Sequence, residues 1–174
     1  IIGSRDAARA DEKAKELSAA TGKTIRGVDN RTAALEGEIV MLTVPYAAHR
    51  PTLTDLKDAL DGKVLIDITV PLAPPKVRSV NLPEGQSAAL EAQALLGPSV
   101  KVVGALHHIS SSHLGDTSHV FDCDVLVCGD DPASRAAVVA LVADLGLRGI
   151  EAGVLKNAIA LESLTPVLLF INQK

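Results

Sequence analysis

Glu38-Ile39-Val40-Met41-Leu42-Thr43-Val44-Pro45 and Lys63-Val64-Leu65-Ile66-Asp67-Ile68-Thr69-Val70-Pro71 are two apolar runs of one design. Neither alternates apolar with polar residues, and each is halted by a proline. A strand with one wet face alternates, whereas a strand covered on both faces reads as a near-continuous aliphatic run. Two such strands with a helix between them make a strand–helix–strand unit of a parallel sheet. The intervening helix is expected over residues 51–60, with Pro51 in its first turn and Gly62 beyond its end.

The same alternation continues in both directions. Ile1-Ile2-Gly3 reads as the end of a strand. A helix is expected over 4–21, capped by Ser4 and ended by Gly22. A short strand over 24–28 and a short helix over 30–35 precede the first apolar run. After the second run come a proline-rich loop over 71–85, a helix over 86–96 and a strand over 100–106. A polar His/Ser-rich segment over 107–119 follows, with room for one helical turn. Then come a strand over 124–128, a helix over 133–145, a strand over 148–152 and a long apolar helix over 155–171. The fold class this predicts is α/β: a Rossmann-type doubly wound parallel sheet with a small C-terminal helical extension. The expected division is 1–152 for the dinucleotide-binding domain and 153–174 for the helical segment. That last helix is apolar on nearly all faces, so it must be covered.

Composition narrows the function. The 174 residues carry a formal net charge of −4, with 2% aromatics and no Trp. A nucleic-acid binder needs positive charge against phosphates and stacking rings, and both are lacking. Cys123 and Cys128 are not spaced as a CxxC pair, which favours a reducing compartment. No apolar stretch reaches the ~20 residues of a membrane span. The expected setting is cytoplasmic, without nucleic-acid or membrane partners.

Ligands of open α/β sheets bind beyond the carboxyl ends of the strands. Three such ends carry informative residues. At the first, Gly3-Ser4-Arg5 has no acid to bond ribose hydroxyls. It offers instead a hydroxyl and a guanidinium fork suited to a 2′-phosphate, with Arg9 one helical turn on. The same tripeptide also reads as an ordinary helix start with solvated arginines. At the second and third, Thr43-Val44-Pro45-Tyr46 and Thr69-Val70-Pro71 end two neighbouring strands alike. Asp67, inside the latter strand, is a buried carboxylate that needs partners. Leu106-His107-His108-Ile109 closes the next strand. His113, His119 and Cys123 follow it, but their spacing fits no standard metal site.

One element is expected and not found in these residues. A dinucleotide site needs a glycine-rich turn after the first strand, where the backbone can approach the pyrophosphate. Gly27, Gly37 and Gly62 each stand alone. The expectation is that strand, turn and helix, roughly 25–30 residues, lie upstream of Ile1.

The chain resembles the F420-dependent NADP reductase family. The resemblance rests on Ile2-Gly3-Ser4-Arg5, on Val40 through Tyr46, and on Ala105-Leu106-His107-His108-Ile109. The more specific segments are Asp122-Cys123-Asp124-Val125-Leu126-Val127-Cys128-Gly129-Asp130-Asp131 and Leu161-Glu162-Ser163-Leu164-Thr165-Pro166. It implies hydride transfer between NADPH and the deazaflavin coenzyme F420, in a homodimer. It also implies that Ser4, Arg5 and Arg9 hold the 2′-phosphate, and that Thr43, Val44, Pro45, Tyr46 and Ala105 line the cofactor path. Val70, Pro71, His107, Ile109, Ser163 and Thr165 would then border the deazaflavin, with His107 the candidate catalytic residue. Ile159 stands where members often carry Arg.

Hydride transfer needs no side-chain nucleophile, only two rings held face to face in a dry site. That accords with the absence of any triad motif. Two alternatives remain: an NADPH-dependent reductase of a small imine or keto acid, for which Lys156 or His107 would be the donor, and an NADP-binding redox module without turnover.

Overall fold

The computed structural model describes residues 1–114 and 120–173. His119 therefore lies outside the described residues. In chain order the elements are β1 (Ile2–Ser4), α1 (Ala7–Thr21), β2 (Gly27–Asp29), α2 (Asn30–Glu36), β3 (Ile39–Leu42), α3 (Tyr46–Leu56), β4 (Val64–Asp67), α4 (Ala88–Leu96), β5 (Lys101–Gly104), α5 (Ser111–Leu114), β6 (Asp124–Gly129), α6 (Pro132–Asp144), β7 (Arg148–Glu151) and α7 (Ala158–Ile171). A short 3-10 turn, Leu155–Asn157, leads into α7.

Five strands form one sheet in the order β3-β4-β5-β6-β7. Its central strands are covered on both sides, as their unbroken apolar runs demand. Along β4, Leu65 packs with Leu53, Leu60 and Ala92 on one face, and Ile66 with Val103 and Val125 on the other. Val102 and Val103 divide in the same way on β5. All four of these β4 and β5 side chains are at most 2% exposed.

The sheet departs from the all-parallel expectation at one place. β3, β4 and β5 are parallel, but β6 runs antiparallel to β5, with Gly104 opposite Cys128. A parallel neighbour needs a crossover connection, usually a helix of several turns. Among the described residues, the β5–β6 connection holds only the single turn α5, so the chain comes back antiparallel. α6 then provides a full crossover, and β7 is parallel to β6.

β1 and β2 form a separate parallel pair, not hydrogen-bonded to β3. Gly27 permits its close packing: a Cβ there would stand 2.1 Å from the Ala10 backbone of α1. Between β1 and β3 runs a slot of about 560 Å³ bordered by Ile2, Gly3, Met41, Leu42 and Ile66. Ile39 and Met41, on one face of β3, are 39% and 40% exposed.

Two helix starts differ from expectation. α1 begins after Asp6, whose carboxylate accepts from the Ala8 and Arg9 amides. Ser4 stays in the β1 ladder opposite Asp29, and its hydroxyl accepts from the Asp6 amide at 3.2 Å. With the Ser4 backbone committed to the strand ladder, the cap falls to Asp6, whose carboxylate serves two free amides. α3 begins directly after Pro45, so Pro51 lies inside it and not in its first turn. The carbonyl that loses its intrahelical donor is that of Ala47, an exposed residue.

Candidate active site

The carboxyl ends of β1 and β3 bring Ser4, Arg5 and Pro45 together around a groove of about 700 Å³. Arg9 borders an adjoining groove that shares Ser4. Arg5 and Arg9 are exposed and make no side-chain hydrogen bond among the described residues. Two groove residues were not found from sequence, Asp29 and Arg31. Arg31 is held by Asp58 through bonds of 2.8 and 2.5 Å. Asp29 is occupied by the start of α2: one oxygen accepts from the Thr32 amide at 2.9 Å and the other from its hydroxyl at 2.6 Å. These bonds hold its carboxyl below the usual range. Of the two groove arginines, Arg5 is the one with no side-chain hydrogen bond among the described residues; of the two groove carboxylates, Asp29 has both oxygens engaged, and Asp55 is the other. That combination suits a phosphate better than a bare ribose.

The other residues expected on the cofactor path divide. Thr43 and Val44 border the slot beside β1. Tyr46 turns inward, and its hydroxyl donates to Glu91 at 2.9 Å, tying α3 to α4. Burial and the Glu91 carboxylate push this phenol up to about 12. Ala105 is completely buried within the sheet packing.

The ends of β4 and β5 form a second cluster. Asp67, a carboxylate conspicuous in sequence, finds its partner in His49 on α3: His49 Nε2 lies 2.7 Å from Oδ2, and both residues are almost fully buried. Oδ1 accepts from the Thr69 amide at 3.0 Å and folds the chain into the turn that carries Val70 and Pro71. On the neighbouring strand Leu106 has φ +62°, a sparsely populated conformation for a bulky residue. It directs the chain so that the His107 ring lies over Gly104, where a Cβ would stand 3.3 Å from Cε1. His107 is 7% exposed, and neither ring nitrogen has a hydrogen-bond partner among the described residues. Burial pushes its pKa down to about 4, against the pull of Asp67, so the ring is neutral at physiological pH. It can exchange hydrogen bonds with a ligand but is no standing cation.

α7 closes this cluster. Thr165 donates its hydroxyl to the His107 carbonyl at 2.9 Å. Glu162, also buried, accepts from the Ala88 and Ala89 amides at 2.7 and 3.0 Å and so caps α4 from another helix. Desolvation raises its pKa to about 8, while the two amides pull the other way. Ser163 is half-buried beside it, and Ile109 packs under the β5 end. The Asp130-Asp131 pair is structural: Asp130 accepts from the Leu155 amide and Asp131 caps α6. His108 bonds the Asp124 carbonyl at 2.7 Å. Among the described residues, no group of three or more His, Cys, Asp or Glu stands together to hold a metal ion.

A sheet with helices on both faces and its polar site at the carboxyl edge defines an α/β domain of Rossmann type that takes its ligand at that edge. Residues 1–71 match the family described as NADP oxidoreductase, coenzyme F420-dependent. The F420-dependent NADP reductase of Methanothermobacter marburgensis is 39% identical over 183 aligned residues, which cover 100% of this chain and 81% of that protein. The chain belongs to the F420-dependent NADP reductase family. A crystal structure from Arthrobacter sp. FB24, provisionally assigned as an F420-dependent NADP reductase, superposes with a TM-score of 0.80 at 26% identity. It covers 98% of this chain and 81% of that one. A pyrroline-5-carboxylate reductase from Coxiella burnetii shares the fold alone, with a TM-score of 0.62 at 19% identity over 94% of this chain and 54% of that one.

Proposed function

We infer that this protein is an oxidoreductase that transfers a hydride between NADPH and coenzyme F420. The observation that carries the reading is the groove joining Ser4 and Arg5, at the end of β1, to Pro45, at the end of β3. There an unpaired guanidinium meets the place where a dinucleotide crosses a doubly wound sheet. Ser4 and Arg5 bind the 2′-phosphate, with Arg9 adding positive charge at the rim. Thr43, Val44 and Pro45 guide the cofactor along the edge of β3. Val70, Pro71, Ile109 and Ser163 wall the ring site, and His107 supplies a neutral hydrogen-bonding edge. NADPH supplies the hydride and the deazaflavin accepts it. The protein's share is to align the two rings and exclude water.

The slot between β1 and β3 takes one further parallel strand, followed by a glycine-rich turn at the pyrophosphate. Residues 1–152 then act as the dinucleotide-binding domain and 153–174 as the helical segment. The exposed apolar side chains of α7, Val167 and Phe170 among them, pair two copies into a homodimer. No helix among the described residues is long and apolar enough to cross a membrane. A cytoplasmic setting accords with the two free cysteines.

The test is optical. Full-length protein mixed with NADPH and F420 should bleach the visible deazaflavin band as NADPH is consumed. NADPH binding with no bleaching would leave the non-catalytic module. Bleaching absent but imine-dependent NADPH oxidation present would favour the small-substrate reductase.

A further inference from the structure

The polar groups at the ends of β4 and β5 are not all used by the protein. Thr69 Oγ1 is buried, in a residue 4% exposed, and has no hydrogen-bond partner among the described residues. His107, buried on the next strand, has two ring nitrogens in the same condition. A buried hydroxyl or imidazole left unpaired is costly, and such groups in a native fold call for an explanation. The ladder places them together. Asp67 is the last residue of β4 and pairs with Gly104, the last of β5. Thr69 stands two residues past that pair and His107 three, on strands about 5 Å apart.

The backbone of Thr69 is fixed from below. Its amide donates to Asp67 Oδ1 at 3.0 Å, and the other carboxylate oxygen is 2.7 Å from His49 Nε2. Beyond it, the Leu72 amide closes on the Val70 carbonyl at 2.7 Å. His49, Asp67 and Thr69 thus form a chain from helix α3 through the strand to the turn, and the buried hydroxyl at its end has no partner among the described residues. His107 is held by a matching contact, Thr165 to its carbonyl.

We propose that Thr69 is a substrate-contacting residue: its hydroxyl, with the His107 ring, binds the polar carbonyl and N–H edge of the deazaflavin, and the buried His49–Asp67 pair is the positioning element that presents it. The assignment rests on the reading of the site as a deazaflavin site. It distinguishes two substrates that share one cleft: Thr69 acts on the second ring and leaves the dinucleotide groove, on the far side of β3, untouched.

The test is F420 binding to the full-length chain without NADPH, followed by deazaflavin fluorescence, with NADPH binding measured separately. Thr69→Val should raise the Kd for F420 about fivefold, the worth of one neutral hydrogen bond. It should leave the Kd for NADPH within twofold. Thr69→Ser, which keeps the hydroxyl, should bind F420 like the parent. Thr69→Ala carries the same question if Thr69→Val fails to fold. His49→Gln should weaken F420 binding in the same direction, and in the double variant with Thr69→Val the two effects should not add, because one acts through the other. An unchanged F420 Kd in Thr69→Val, or equal weakening of F420 and NADPH, overturns the contact. Full additivity overturns the positioning role of His49. If the parent protein binds NADPH and not F420, the functional reading itself fails and the Thr69 assignment with it. If the parent binds F420 and Thr69→Val binds it equally, only the Thr69 assignment fails.

Discussion

In the proposed site Arg5 and His107 stand in the two halves, and they would act by opposite physics. Arg5 is exposed and unpaired, so its value lies in a charge offered to a ligand. Arg5→Ala should raise the KM for NADPH about 10- to 100-fold, as the loss of one charge-assisted contact implies, and barely move that for NADH. Steady-state kinetics with both dinucleotides checks this, and equal effects would remove the 2′-phosphate assignment. His107 is buried and neutral. Its pKa falls from 6.5 toward about 4 on folding, so the unfolded chain binds more protons between those values. The contribution of this group is complete above pH 6.5 and is lost as pH falls toward 4, by about 3 kcal/mol, while Glu162, raised to about 8, works in the opposite sense and is common to the parent and the variant. Urea unfolding of the parent and of His107→Asn across pH 4–7 should give curves that diverge below pH 6.5. Parallel curves would mean that the ring is solvated. Both residues drew attention in sequence by their place near a strand end: Arg5 follows β1 directly, and His107 stands three residues past β5. Asp67 was legible only as an oddity. Its partner His49 was not, because the two are 18 positions apart and meet only once α3 lies across β4.

At the scale of elements, sequence reading succeeded where an unbroken apolar run forced a doubly covered strand, as at β4 and β5, whereas β3, with a run of the same design, leaves Ile39 and Met41 exposed on one face. It failed where two local signals competed. Ser4 and Asp6 are both good helix caps, and only the β1–β2 ladder shows that Ser4 is already committed. Pro51 looked like a helix start, yet α3 passes through it, and the carbonyl that loses its donor belongs to exposed Ala47. The direction of β6 was hidden for a different reason: strand patterns carry no sign, and among the described residues the connection before it holds only the single turn α5. α7 raises the remaining question at this scale. Ala158, Leu161, Glu162 and Pro166 face inward, while Leu164, Val167, Phe170 and Ile171 are 38–65% exposed. A stripe of that size on a free surface marks an interface. Sedimentation at micromolar concentration should show a dimer, and Phe170→Glu, at an already exposed site, should shift it to monomer while the unfolding transition stays cooperative. A parent that sediments as a monomer would mean that something else covers this helix.

At the scale of the whole molecule, the decisive feature is the break between the β1–β2 pair and the five-stranded sheet. β1 and β3 are not paired with each other, and the slot between them runs along both edges. Open edges inside a sheet leave rows of unpaired amides and carbonyls, and they invite pairing with other chains. In a doubly wound sheet one strand lies between these two and leads straight into the turn that receives the pyrophosphate. The prediction is that the 174 residues expressed alone bind a hydrophobic dye, self-associate through the open edges and fail to oxidise NADPH with F420. A chain carrying a strand and glycine-rich turn ahead of Ile1 should unfold cooperatively and turn over. Amide exchange supplies the direct readout. Every second amide of β3 (Ile39–Leu42), those that point away from β4, should exchange quickly in the short form and become protected in the long one, because an edge amide gains protection only when a neighbour accepts its hydrogen bond. Protection of these amides in the isolated 174 residues, together with catalytic turnover, would mean that β1 and β3 close upon each other in solution. The dinucleotide path would then have to run elsewhere than between Ser4 and Pro45.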